Sequence, residues 1–278
     1  MADQTSWLKI VVQCRDAVRK RIAPLLKTLN EPQRDLGLGA GGDPVRKIDL
    51  AAERAIFETV KKHEVSFTLI SEESGIKQYG DSPSQNFVTI DPIDGTTNLM
   101  RKIPFYATSI AVSARPSLES IHTALVEDLY HGVTYTAQRG KGAYSNGEKL
   151  TPSKITSLEE AVIGVDINTY KVRKIASQLT ALIERTKHLR HLGANALELC
   201  YVAGGTTDAF IDIRGKLRTT DMAAASLIIK EAGARITSPE GKPLRIRLDP
   251  RQTVFFVAAG NEEIHRVILD LIRPRKEI

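Results

Sequence analysis

Two aspartates that follow a short apolar run have the clearest potential for chemistry in this chain. The stretch FVTIDPIDGTTN occupies residues 87–98, and its first four residues are β-branched or aromatic, which predicts a buried strand. We expect the strand to end at Asp91, because Pro92 has no N–H to donate to a sheet. Asp94 comes one turn later, and Gly95 lets the backbone curl so that successive N–H groups face an anion.

Carboxylates at the end of a buried strand need a cation nearby. An ionised, unpaired carboxylate costs several kcal/mol to desolvate, and residues 87–100 contain no Lys or Arg. Hard oxygen ligands on a tight turn suit Mg²⁺, which binds through a few carboxylates together with substrate phosphate. Taken alone, the stretch is equally consistent with a solvated Asp-Gly turn after an edge strand. The rest of the chain decides between these interpretations.

Three further acids lie at the ends of predicted elements. Residues 67–70 form a second apolar run, which ends in SEESG and so places Glu72 at a strand end. Asp221 opens a small, apolar helical stretch, and Asp49 lies in the first turn of another predicted helix. For both aspartates, a capping or helix-dipole role is the alternative to chemistry. Because open sheets bind ligands at strand ends, the two acidic strand ends predict a shared site.

The elements that must position these acids fall into two regions. The first has predicted helices at residues 7–29 and 45–62, followed by a mostly antiparallel sheet that contains an Asn-Gly hairpin turn at Asn146. Its strands are predicted at residues 67–70, 87–91, 106–114, 121–126 and 132–138. From about residue 151 strands and helices alternate. The strands there are predicted at 161–168, 188–192, 208–213 and 253–259, and the helices at 172–185, 195–203, 221–232 and 262–272.

A glycine-rich stretch, LGLGAGGDP at residues 36–44, separates the first two helices. It satisfies the Gly-x-Gly-x-x-Gly pattern of dinucleotide sites. However, it follows a helix rather than a strand and ends at Pro44, so we reject that role. We interpret it as a mobile loop that can cover a site.

The composition indicates a globular protein with a substantial core. Of the 278 residues, 42% are hydrophobic, no apolar run reaches the roughly 18 residues needed to span a bilayer, and no secretory signal is visible. Cys14 and Cys200 lie in apolar helical patterns and are expected to be buried free thiols of a cytoplasmic protein. The net charge of +6 is scattered, which argues against nucleic acid as a partner. A basic surface would instead steer a polyanionic small substrate.

In its acidic motifs and in their order, the sequence resembles the inositol monophosphatase family, part of the lithium-sensitive sugar phosphatases. The resemblance covers nearly the whole chain, and its signatures occur in the family's order. They are ISEES at residues 70–74, DPIDGTTN at 91–98, RGKGA at 139–143, Asp221 with EAG at 231–233, and AAGN at 258–261.

The resemblance implies a fold between α+β and α/β, a layered α-β-α-β-α sandwich that binds two or three Mg²⁺ ions and forms a lithium-sensitive homodimer. It implies metal ligands at Glu72, Asp91, the carbonyl of Ile93, Asp94 and Asp221. It also implies phosphate contacts at Asp94, Gly95 and Thr96, and water activation by Asp49 and Thr96 beside Glu72. Residues 1–150 would carry most of the metal ligands, and residues 151–278 would carry Asp221 and the substrate contacts.

The segment before Asp221 departs from the usual family pattern. The interval from Asp208 to Asp221 is longer than usual. The family's inositol-contacting acid therefore aligns with Asp212 when the match starts from Asp208, and with Arg214 when it starts from Asp221. DIRGKLR, residues 212–218, is similar to the archaeal-type branch, whose members are often both inositol monophosphatases and fructose-1,6-bisphosphatases.

These basic residues bear on the substrate. Arg214 and Arg218 would hold a second phosphate, or else they are solvated surface charges. Gly193 and Asn195 match the family's substrate-side turn.

We therefore predict a Mg²⁺-dependent phosphatase for small polyol or sugar phosphates, with inositol 1-phosphate and fructose 1,6-bisphosphate as leading candidates. Metals held by the acids would activate a water and stabilise the leaving alkoxide. One alternative is a 3′-phosphoadenosine 5′-phosphate phosphatase. Another is a regulatory RNA- or protein-binding module with a relict site, and the intact set of acids argues against that relict.

Overall fold

The part of the chain that the structure describes forms two β-sheets and three pairs of longer helices. A computed structural model describes residues 6–29, 36–81, 85–168 and 172–273. The helices are α1 (Trp7–Leu26), α2 (Lys47–Lys61), α3 (Thr96–Met100), α4 (Val172–Arg185), α5 (Asn195–Ala203), α6 (Thr219–Ala232) and α7 (Glu262–Ile272). None of the helices within those ranges is both long and apolar enough to cross a membrane.

The strands form an eight-stranded and a five-stranded sheet. The first consists of β1 (Phe67–Ser71), β2 (Gly75–Tyr79), β3 (Phe87–Asp94), β4 (Ala107–Ser113), β5 (Ile121–Asp128), β6 (Val133–Gln138), β7 (Gly142–Ser145) and β8 (Glu148–Lys149). The second consists of β9 (Val162–Val165), β10 (His188–Arg190), β11 (Ala209–Arg218), β12 (Arg235–Thr237) and β13 (Thr253–Ala259).

The strand orders place the chain's acidic strand ends side by side. The first sheet has the order β2-β1-β3-β4-β5-β6-β7-β8, and the second has the order β10-β9-β11-β13-β12. In the first sheet β1 and β3 are neighbours and run parallel, whereas the other pairings are antiparallel. Parallel neighbours end at the same edge of a sheet, so the residues that follow β1 and end β3 lie close together.

Alternating side chains divide the core into three layers. In β5, Leu125 packs with α1 and α2, whereas its neighbour Val126 packs with α5 and α6. The outer face of the second sheet packs on α4 and α7 through residues such as Ile211 and Ile268. The order α1/α2, first sheet, α5/α6, second sheet, α4/α7 confirms the predicted α-β-α-β-α sandwich.

The central layer depends on small residues in α6. Ala223, Ala224 and Ala225 are fully buried, and α6 contacts both sheets. Alanine adds little bulk and favours helix formation, so the two sheets can approach this helix closely. The helix that starts beside the acids is therefore fixed rigidly between the sheets. Cys14 and Cys200 are buried free thiols, as predicted.

The predicted end of β3 at Asp91 is wrong, because the strand continues to Asp94. Asp91 pairs with Ser109 and Asp94 with Ala107, so three steps along β3 face two along β4. This one-residue bulge removes Pro92 from the regular ladder of hydrogen bonds.

β11 likewise extends beyond the predicted end at Ile213, to Arg218. Asp212 pairs with Phe256 and Leu217 with Val254, so five steps along β11 face two along β13. The extra residues form a bulge, which accommodates the longer interval between Asp208 and Asp221.

The start of α6 also differs from the prediction, because the helix begins at Thr219, two residues before Asp221. The N-cap residue is Arg218, and Asp221 is the third residue of the helix. The short strands β2 and β12 were not predicted either. The hairpin at Asn146 is confirmed, since Asn146 and Gly147 both have the positive φ of a tight hairpin turn, at 47° and 87°.

Candidate active site

Three carboxylates converge in a cavity of about 1030 Å³. Oxygen atoms of Glu72, Asp91 and Asp221 all lie within 4.8 Å of one another. Glu72 follows β1, Asp91 lies at the bulge of β3, and Asp221 lies in the first turn of α6. The fold thus brings together the three acids that the sequence placed at separate element ends.

Asp221 is held in place by its own helix start. The Arg218 N–H donates to its Oδ2 atom at 3.2 Å, and the Thr220 hydroxyl donates to Oδ1 at 2.9 Å. These contacts are the capping role that sequence reasoning offered as the alternative to chemistry. They occupy one acceptor direction of each oxygen, and a carboxylate oxygen has two. Capping and metal binding are therefore compatible in this residue.

The electrostatics of the three acids favour a bound cation. Burial raises the pKa of Glu72 to about 9, with the nearby Asp221 charge adding to the effect. Burial also raises the pKa of Asp91 well above its usual range, and Glu72 and Asp221 raise it further. Carboxylates that resist ionisation in this way are stabilised as anions by a divalent ion. The donor set consists of oxygen atoms only, and this fits Mg²⁺.

Asp94 and Ile93 lie beside the three converging acids with partners of their own. The two carboxylate oxygens of Asp94 accept the N–H groups of Asn195, at 3.2 Å, and Ala196, at 2.7 Å. The Ile93 carbonyl accepts the Thr96 hydroxyl at 2.9 Å. Asp94 therefore ties the end of β3 to the first turn of α5, and its role as a metal ligand stays a prediction.

Gly95 and Gly193 bring the predicted phosphate loop and substrate turn into contact. Gly95 has a φ of 86°, and a Cβ placed there would lie 3.0 Å from the Cβ of Ala194 and 3.2 Å from the Gly193 carbonyl. A side chain at residue 95 would push the two loops apart and strain the backbone. Thr96 and Asn195 line the same cavity, and the Oδ1 atom of Asn195 is buried without a hydrogen-bond partner.

Asp49 faces the cavity from the first turn of α2. Its Oδ2 atom accepts the Arg46 N–H at 3.1 Å, whereas its Oδ1 atom is buried without a hydrogen-bond partner. Burial raises the pKa of Asp49 to about 7. One oxygen thus performs the predicted capping role, and the other is left available for a water or a ligand.

The two residues that align with the family's inositol-contacting acid, Asp212 and Arg214, have different environments in the structure. Arg214 lines the cavity, whereas Asp212 is fully buried behind it. The Arg214 guanidinium bonds Asp212 at 3.0 and 2.5 Å and also contacts Asp166. Two carboxylates therefore already neutralise the Arg214 charge, which weakens the case for Arg214 as a phosphate ligand.

Arg218 lies beside the acids in the cavity. Its Nη2 atom is 2.9 Å from Glu72 Oε1 and also contacts Asp43. Residues 41–44 of the glycine-rich stretch also line the cavity. Within the stretch, the N–H groups of Ala40 and Gly41 donate to the carbonyls of Glu73 and Glu72 at 3.0 and 2.8 Å.

The comparisons with known proteins agree with this geometry. The model of the inositol monophosphatase family matches residues 3–277. The chain belongs to the inositol monophosphatase family. It is 36% identical over 275 residues to a fructose-1,6-bisphosphatase/inositol-1-monophosphatase of Methanothermobacter thermautotrophicus, covering 96% of each chain. The structure of an inositol monophosphatase-fructose 1,6 bisphosphatase matches with a TM-score of 0.84 at 31% identity, covering 96% of this chain and 100% of that one.

A second kind of relative within the inositol monophosphatase family is a bifunctional NADP phosphatase/NAD kinase of Methanococcus maripaludis. It is 31% identical over 293 residues, which cover 98% of this chain but 50% of the relative. The resemblance to the archaeal-type branch is thus confirmed, and phosphatase activity follows from the family.

Sequence reasoning missed two buried glutamates that support this family site. Glu53 lies one turn after Asp49 in α2 and accepts the Ser71 hydroxyl and the Ser74 N–H, which hold the turn that carries Glu72. Glu198 accepts the N–H groups of the 192–193 turn. The signal was a Glu on the apolar face of each predicted helix, where an unpaired charge would be costly.

Proposed function

We propose that this protein is a Mg²⁺-dependent phosphatase that hydrolyses small polyol or sugar phosphate monoesters. The convergence of Glu72, Asp91 and Asp221 within 4.8 Å is the observation that carries the proposal. Asp94 and the Ile93 carbonyl would complete the ligand set, for two or three ions. Residues 1–150 supply all of these groups except Asp221.

The chain's own residues would divide the remaining work. Bound Mg²⁺ would lower the pKa of a coordinated water and offset the charge of the phosphoryl group. Asp49, through its unpartnered Oδ1 atom, and Thr96 would orient the attacking water. The backbone of Gly95 and Thr96 would hold the phosphate oxygens. Because Gly95 touches the 193–195 turn, phosphate and polyol would bind to one continuous surface.

The lining of the cavity away from the acids supports a polyol substrate with more than one anionic group. Asp166, Asn168, His191 and Asn195 line this part of the cavity and can hydrogen-bond hydroxyl groups. Basic side chains also face the cavity, namely Arg46, Arg101, Lys216, Arg218 and Arg251. Fructose 1,6-bisphosphate has both the hydroxyl groups and the second phosphate, whereas inositol 1-phosphate would use only the hydroxyl-binding side chains; relatives are named for both activities.

The test is phosphate release with Mg²⁺ from inositol 1-phosphate, fructose 1,6-bisphosphate and NADP, measured side by side. The wild type would be compared with Asp91→Asn and with Asp270→Asn, which changes an exposed aspartate of α7. We expect release from the first two substrates, lost in Asp91→Asn and retained in Asp270→Asn. Release from NADP alone would contradict the polyol assignment, and full activity of Asp91→Asn would contradict the site.

The family also predicts a homodimer that is inhibited by lithium and resides in the cytoplasm. Light scattering of the purified chain would test the dimer, and a monomer at micromolar concentration would contradict it. A lithium titration of phosphate release would test the inhibition, and an unchanged rate would contradict close kinship with the lithium-sensitive members.

A further inference from the structure

Arg218 connects the acid cluster to the glycine-rich loop, residues 36–44. Its guanidinium contacts Glu72 at 2.9 Å and also Asp43 of the loop. The Arg218 side chain is only 14% exposed, whereas that of Asp43 is 67% exposed. The guanidinium is therefore buried beside Glu72, and Asp43 attaches the loop to the same guanidinium.

The loop packs directly on this guanidinium. A Cβ at Gly41 would lie 2.0 Å from the Arg218 Nη1 atom, so a side chain there would displace the guanidinium. The Gly41 N–H donates to the Glu72 carbonyl at 2.8 Å, and the Arg251 side chain donates to the Ala40 carbonyl at 3.3 Å. The position of the loop thus depends on both the backbone and the charge at Glu72.

Two donors of Arg218 remain unused in this arrangement. The Nε and Nη1 atoms are buried without hydrogen-bond partners. A buried, unsatisfied donor on a charged group is costly. The guanidinium is thus better satisfied by an anion that takes these N–H groups than by Glu72 and Asp43 alone.

We propose that Arg218 couples metal loading to loop opening, because the guanidinium and a divalent ion compete for the Glu72 carboxylate. This inference rests on the proposed function. With Arg218 on Glu72, the loop is closed by Asp43 and Gly41. A divalent ion on Glu72 weakens the Arg218–Glu72 attraction, so the guanidinium and the loop are released and the Nε and Nη1 donors become available to an anionic substrate.

Thermodynamic linkage fixes the direction in which the affinity for Mg²⁺ must change when Arg218 is removed. If the metal displaces Arg218 from Glu72, then removal of Arg218 must raise the affinity for the metal. Coupling between two such sites is typically 5- to 150-fold. We therefore expect Arg218→Gln to bind Mg²⁺ at least about fivefold more tightly than the wild type, and Arg218→Lys to fall between the two.

The first experiment is a calorimetric titration of the full chain with Mg²⁺. Arg251→Gln is the matched control, since the Arg251 side chain touches the same loop through the Ala40 carbonyl but forms no ion pair with a carboxylate of the described residues. We expect this control to bind Mg²⁺ like the wild type. Equal or weaker binding by Arg218→Gln would overturn the proposal. An absence of Mg²⁺ binding in the wild type would instead refute the proposed function on which the inference rests.

The second experiment follows amide hydrogen exchange of residues 38–44, without substrate. In the wild type, Mg²⁺ should speed exchange of the Ala40 and Gly41 amides, which donate to the carbonyls of Glu73 and Glu72. In Arg218→Gln these amides should exchange quickly with or without Mg²⁺. Exchange in the wild type that Mg²⁺ leaves unchanged or slows would overturn the coupling, even if the affinities changed.

Discussion

Glu198 offers a quantitative test of the electrostatics on the substrate side of the cavity. The residue is 2% exposed, and its carboxylate accepts the N–H groups of Leu192 at 3.2 Å and Gly193 at 3.0 Å. Burial raises its pKa from an ordinary value of 4.5 to about 7. At 1.36 kcal/mol per pKa unit, the ionised form costs about 3 kcal/mol of folding free energy.

The sign follows from proton binding. Between pH 4.5 and 7 the folded protein keeps the Glu198 proton that the unfolded chain has lost. The free energy of unfolding therefore falls as pH rises through this window, and Glu198 adds no further change above it. Glu198→Gln keeps an acceptor for the 192–193 turn but cannot ionise, so it escapes this loss.

The assay is urea unfolding of the wild type and Glu198→Gln at pH 4.5 and pH 8. Buried acids that Glu198 does not influence titrate alike in both proteins and cancel in the difference, whereas the Glu198 charge raises the pKa of Asp94. We expect the stability of the variant relative to the wild type to rise by about 3 kcal/mol between these two pH values. The exposed substitution Glu148→Gln should show no such trend. A difference for Glu198→Gln that stays constant with pH would refute the reasoning.

Three other predictions concern the support of the site. Glu53→Ala should weaken Mg²⁺ binding in calorimetry because Glu53 holds the turn that carries Glu72, whereas Glu53→Gln should retain most of it; equal losses would contradict a hydrogen-bonding role. Gly215→Ala should cost about 1 kcal/mol more than Gly140→Ala in urea unfolding, because its Cβ would lie 2.4 Å from the half-exposed Phe255 ring and displace it, whereas nothing lies within 4 Å at residue 140; equal losses would contradict this. The rise in Tm that Mg²⁺ causes should grow between pH 6 and 9, because Glu72 and the neighbouring acids lose their protons in this range and can then bind the ion. A rise in Tm that does not change with pH would contradict this.

The sequence predicts the acid cluster because strand ends and a helix start are local features. Asp91 follows an apolar run, and Glu72 follows another. Because β1 and β3 pair in parallel, their ends lie side by side and the two acids come close together. By contrast, the bulge at Pro92 depends on the register with β4, which no local pattern contains. The prediction therefore placed the acids correctly and ended the strand too early.

Contacts between distant segments were beyond the reach of sequence reasoning. The pair of Arg218 with Glu72 depends on how the two sheets are stacked, and the pair of Arg214 with Asp166 depends on the pairing of β11 with β9. The choice between Asp212 and Arg214 required the bulge in β11, which was visible only as a long interval. The edge strand β2 has the sequence GIKQY and is mostly exposed, so it lacks the apolar alternation by which strands are recognised.

The most direct test of the central claim is phosphate release from inositol 1-phosphate as a function of Mg²⁺ concentration. The wild type, Asp221→Asn and the exposed control Asp270→Asn would be compared, with unfolding measured on each to show that it is folded. We predict no release in EDTA, saturable release with Mg²⁺ in the wild type and the control, and loss of release in folded Asp221→Asn. Full release in EDTA, or an Asp221→Asn variant as active as the wild type, would contradict the account.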